Sequence, residues 1–150
     1  MMFDPTSDIS NVIQLSVAPV FLLTGIGAFI AAFAGRLGRI FDRSRLLEAV
    51  LPNCHPSRQA AIEAELETLQ RRARLAYTGI ALDIVSALFV CLLVALAFTG
   101  YFFGFEIRGL IAGLFIAAMV SLIGGLIAFL REVFVAVRSL SIVAPGRDTG

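Results

Sequence analysis

Residues 75–100 read LAYTGIALDIVSALFVCLLVALAFTG, a stretch whose one charged side chain is Asp83. At about 1.5 Å of rise per residue, a helix of that length exceeds the roughly 30 Å of hydrocarbon in a bilayer. The run follows directly on the cluster RRAR at 71–74, as a membrane span follows its basic flank. Working outward, residues 12–34 and 109–130 are two further apolar runs long enough to cross. The expectation is an all-α integral membrane protein with three transmembrane helices, spanning about 12–34, 75–100 and 109–130. A hydrophobic content of 59% and a mean hydropathy of +0.92 lie far above those of a soluble domain, and 150 residues allow one compact unit.

Eleven of the twelve arginines fall in 36–74 and 131–147, each group abutting an apolar run. Cytoplasmic flanks collect basic residues, which predicts an N-terminus outside and a C-terminus inside. The net charge of +1 is lopsidedly distributed, and these arginines face the anionic surface of the inner leaflet rather than a nucleic acid. The start MMFDPTSDIS has no basic region and is not expected to be a cleaved signal peptide. Cys54 and Cys91 lie on different elements without CxxC spacing, so no disulfide is expected.

Along the chain, turn and capping residues predict a first helix beginning near Thr6 to Asp8, with a packing kink at Pro19. Nothing breaks that helix at the inner face, and PNCHP at 52–56 ends it. The return segment carries Ile62, Leu66, Leu69, Ala73 and Ala76 at the four-three spacing of a coiled-coil seam. Residues 35–74 are therefore expected to form a cytoplasmic antiparallel helical hairpin. Its charges read as a solvated face, with local pairs Glu67–Arg71, Asp42–Arg39 and Glu48–Arg45 worth tenths of a kcal/mol each. The basic face comprises Arg36, Arg39, Arg43, Arg45, Arg71, Arg72 and Arg74. Residues 131–143 continue the third span as a short amphipathic helix, and the tail 144–150 is expected to be disordered. Tyr101, Phe102, Phe103 and Phe105 in the outer turn read as headgroup-level anchors.

Three rows of small residues predict the packing faces. Gly109, Gly113, Ala117, Ser121 and Gly125 recur every four residues in the third span, and Gly27, Ala31 and Gly35 in the first. Such stripes allow the close van der Waals approach that holds helices together in lipid. The first-span row shares a broad face with Ser16 and Thr24. In the second span Gly79, Asp83, Ala87, Cys91, Ala95 and Thr99 form the row, so the acid points into protein. Asp83 lies roughly 12 Å in from Leu75, where desolvation works against a charged carboxylate unless a cation or donor compensates. It marks either a cation or proton site, with Ser86 one turn away, or a protonated or Arg-paired acid that cements packing, with Arg36 or Arg39 as the partner.

The segments IQLSVAPVFLLTGIGAF, GRLGRIFDRSR, RRARL and FLREVFVAVRSL resemble a bacterial membrane family, domain of unknown function family 2721, over nearly the whole chain. That resemblance implies a multi-pass protein of the bacterial inner membrane and carries no activity. At the level of topology the chain is also similar to the ExbB, TolQ and MotA stators, although its cytoplasmic insertion is much smaller. Two functions follow as expectations. One is a homo-oligomeric cation or proton channel with Asp83, Ser86, Thr24 and Ser16 along its pathway, taking an inorganic cation as ligand. The alternative is a non-conducting scaffold or regulatory subunit acting through the Arg-rich hairpin. An enzyme is not expected: His55 beside Cys54 supplies too few ligands for a metal, no nucleophile adjoins a base, and no cofactor motif is present.

Overall fold

The structure, a computed structural model, describes residues 5–103 and 108–141, with side chains over 17–100 and 108–137. Helix α1 runs over Pro5–Val50, α2 over Pro56–Phe103 and α3 over Arg108–Ser141, with a 3-10 turn at Leu51–Asn53. Both α1 and α2 are continuous from the apolar segment into the polar hairpin, as the lack of any breaker at 34–36 and 71–75 predicts. Pro19 lies inside α1. Pro52 and Pro56 make the reversal between α1 and α2, and the His55 carbonyl accepts the Arg58 N–H at 2.8 Å to open α2. Three helices are long and apolar enough to cross a membrane, the architecture of a multi-pass membrane protein.

The buried positions recur every seven residues in all three helices. In α1 they are Ile26, Phe33, Ile40 and Leu47; in α2, Ile62, Leu69, Ala76, Asp83 and Val90; in α3, Ala118, Gly125 and Glu132. A seven-residue repeat falls about 20° short of two full turns, so a seam on it stays facing its neighbour as the helices coil gently round one another. The seam predicted for 62–76 is thus the lower part of one that runs on through the membrane segment. Ile40 and Leu47 meet Ile62 and Leu69 in the hairpin; Phe33, Leu37 and Ala76 meet at its base; Ile26, Val90 and Ala118 meet in the apolar part. Helix α2 is the central element, antiparallel to both α1 and α3.

The four-residue rows behave differently. A step of four advances about 40° round a helix, so a row of five positions winds through some 160° and cannot hold one contact. Gly125 is buried and Ala117 and Ser121 are half-buried, whereas Gly109 and Gly113 are exposed, and a methyl group added at either would meet nothing within 4 Å. In α2 the row leaves the seam after Ala87, and Cys91, Ala95 and Thr99 are exposed. In α1, Gly27, Ala31 and Gly35 lie on the outside of the three-helix unit, and the face expected to be covered is open. Helix α1 takes in Thr6 to Asp8, and α2 continues through Tyr101, Phe102 and Phe103 of the expected outer turn. The expectations for the tail 144–150 and Phe105, and those for the side chains of Thr6 to Asp8, Ser16 and Tyr101 to Phe103, lie outside what the structure describes.

Candidate functional site

Two acids occupy seam positions, and they are treated in opposite ways. Asp83 and Glu132 are both fully buried, at 0% exposure. Glu132, on α3 where the apolar span gives way to the basic segment, is clamped from both other helices. The Arg36 Nη1 of α1 donates to its Oε2 at 3.0 Å, and the Arg72 Nη2 and Nε of α2 donate to its Oε1 at 2.9 and 3.2 Å. The Arg36 guanidinium also stacks over Phe129, 4.9 Å from the ring centroid, and Phe129 meets Phe33 edge to face at 4.9 Å. One carboxylate and two guanidiniums therefore join all three helices at one level. A buried charge is tolerable where it is paired and fully hydrogen-bonded, and charge-assisted bonds of this kind are among the stronger ones a protein makes.

Phe33 reaches this cluster because Gly79 lets it in. A methyl group at Gly79 would overlap the Phe33 ring, so the outer end of the aromatic side chain of α1 reaches the backbone of α2. One turn further into the span, Asp83 meets Gly125 in the same manner: a methyl group there would overlap the carboxylate and would lie 3.3 Å from the Gly79 carbonyl. Gly125 thus brings the backbone of α3 close to that of α2 beside Asp83, while Gly79 admits a ring of α1 against α2.

Neither carboxylate oxygen of Asp83 has a hydrogen-bond partner among the described residues. The expected pairing of Asp83 with Arg36 or Arg39 does not form, because Arg36 is engaged by Glu132 and Arg39 lies in the hairpin cleft. An isolated carboxylate among apolar helices is costly, so a neutral acid or a carboxylate holding a cation are the two species that suit the position. Ser86, one turn on, is also fully buried and donates to the Ala118 carbonyl of α3 at 2.8 Å. Asp83 and Ser86 are therefore together on the α2–α3 seam. Thr24 is not with them: it is exposed on α1, its hydroxyl donating to the Val20 carbonyl at 3.1 Å. Among the described residues no cluster of three metal-ligating side chains occurs.

The predicted basic face divides. Arg36, Arg39, Arg43 and Arg72 converge on a cleft of about 310 Å³ floored by Ile40 and Leu69. Arg45, Arg71 and Arg74 are exposed outside it. Ion pairs among the described residues cross between helices: beside the Glu132 clamp, Arg43 Nε and Nη2 grip Glu65 at 2.7 and 3.2 Å, a pairing that holds the Arg43 guanidinium still more firmly protonated. The local pairs Glu67–Arg71, Asp42–Arg39 and Glu48–Arg45 are not made. The four-residue rows do not single out Glu132. Its signal is the seven-residue interval from Ala118 through Gly125.

No curated protein and no solved structure matches the chain, and the expected likeness to the ExbB, TolQ and MotA stators is not shown. A family model does match, over residues 16–142, a range that takes in both acids, both glycine contacts and the whole arginine clamp. The chain belongs to the family described as Protein of unknown function (DUF2721).

Proposed function

We propose that the chain is the subunit of a homo-oligomer in the bacterial inner membrane, N-terminus outside and C-terminus inside, and that Asp83 is the proton-binding group of a proton pathway along the α2–α3 seam. One observation carries the reading: the fold gives Glu132 three charge-assisted hydrogen bonds and Asp83 none, although both are fully buried at equivalent seam positions. An acid that makes no bond does not hold helices together, and an ionisable residue within a span points to ion handling. A proton suits the site better than a metal cation, which needs several converging ligands, and no cluster of three acidic, His or Cys side chains occurs among the described residues. The close approach at Gly125 closes the site in the resting subunit, so proton entry requires α3 to move away from α2. The outward-facing small residues Gly27, Ala31 and Gly35 support association between copies, and the arginine bias supports the orientation.

The test is ion flux in liposomes containing the purified chain, under separate proton, Na⁺, K⁺ and Ca²⁺ gradients. Proton flux lost in Asp83→Asn, with the oligomer intact, supports the pathway. Flux of a metal cation with the same dependence makes the site a cation site instead. No flux in either protein favours the scaffold reading, for which Arg45 and Arg74, exposed on the hairpin and outside every ion pair among the described residues, are the supporting feature.

A further inference from the structure

The four-arginine cleft between α1 and α2 is unexplained by a proton site. Its guanidiniums are held ready. Arg36 engages Glu132 through Nη1, Arg72 engages it through Nη2 and Nε, and Arg43 spends Nε and Nη2 on Glu65, so each retains N–H groups beyond those used. A guanidinium carries five donors in a fixed plane, and one clamped by a carboxylate on one edge presents the other edge in a fixed position. Arg39 makes no ion pair among the described residues. Four cations against two carboxylates leave the cleft with a net positive charge of two.

Its position in the fold identifies the anion. Arg36 stands two residues after the apolar run 12–34 and Arg72 three before Leu75, so a bilayer that covers these runs would carry its phosphates near the mouth of the cleft. Arg36 and Arg72 are 32% and 21% exposed, partly withdrawn from water, where attraction to an anion is less screened than at an open surface. We propose that this cleft binds the phosphate of one anionic phospholipid per subunit, with Arg39 and Arg43 as its principal donors and Glu132 as the positioning residue for Arg36 and Arg72. Basic recesses between helices on the inner side of a membrane suit anionic headgroups.

Native mass spectrometry of the detergent-purified full chain, with added phosphatidylglycerol or phosphatidylcholine, tests this, alongside calorimetric titration with inorganic phosphate. Wild type should retain one phosphatidylglycerol per subunit in preference to phosphatidylcholine. Arg39→Gln, which breaks no ion pair, should weaken retention about tenfold, the worth of one charge-assisted hydrogen bond, and Arg39→Gln with Arg43→Gln should abolish the preference. Arg45→Gln with Arg74→Gln removes the same charge outside the cleft and should leave it within about twofold, since diffuse attraction to the surface is the only contribution lost. Equal loss in the two double variants would overturn the proposal in favour of diffuse attraction. So would the absence of any preference for phosphatidylglycerol. Binding of inorganic phosphate that depends on Arg39, without lipid retention, would overturn the lipid assignment and leave a soluble anion as ligand.

Discussion

Asp83 and Gly125 are in such close apposition that the carboxylate of one fills the space where the other would carry a side chain. Gly125→Ala should therefore destabilise the protein by about 1–3 kcal/mol, the usual cost of overpacking a tight contact. The same substitution in an Asp83→Ala background should cost much less, because the obstructing group is gone. Thermal unfolding of the four proteins in detergent gives the coupling directly. Strict additivity would mean that the two residues do not meet.

The two buried acids should separate cleanly on substitution. Glu132→Gln leaves two guanidiniums facing an uncharged partner and should cost about 3–5 kcal/mol, the cost of breaking a buried ion pair. Asp83→Asn removes no bond and should cost less, about 1–2 kcal/mol, for the amide donors it leaves buried without partners. Comparable losses in the two variants would show that Asp83 has a structural partner after all.

Phe33 on Gly79 is the corresponding contact on the other side of α2. Phe33→Ala removes a fully buried ring and its edge contact with Phe129, and should cost about 3–5 kcal/mol. Because Phe129 carries the Arg36 guanidinium on its face, the loss should couple to that of Arg36→Gln in a double-mutant cycle. Independent effects would separate the aromatic pair from the clamp.

The exposed Arg43–Glu65 pair provides the contrast with the clamp. Glu65→Gln should cost under about 1 kcal/mol and lose what effect it has as salt is raised, since both partners are in water. An effect as large as that of Glu132→Gln would require the hairpin to be covered, by another subunit or a partner.

Much of this is legible in the residues. The Leu75 to Gly100 run, the PNCHP reversal and the four-three spacing at 62–76 carry the three helices and the hairpin, because span length, proline and seam periodicity act locally. The burial of Asp83 follows from its small-residue neighbours. What is not legible is which period governs. Rows at four and at seven residues coincide over one or two turns and diverge beyond them, so Gly109, Gly113 and Gly35 look buried and are exposed. Glu132 is hidden for a related reason: beside Arg131 it reads as a local surface charge, and its real partners are 96 and 60 residues away.

The most direct test of the central claim is proton flux into liposomes under an imposed voltage, comparing wild type, Asp83→Asn and Asp83→Glu at equal amounts of folded oligomer. The account predicts flux in wild type, none in Asp83→Asn, and partial recovery in Asp83→Glu, whose carboxyl can still bind a proton but crowds Gly125. Undiminished flux in Asp83→Asn would contradict it, as would a silent wild type.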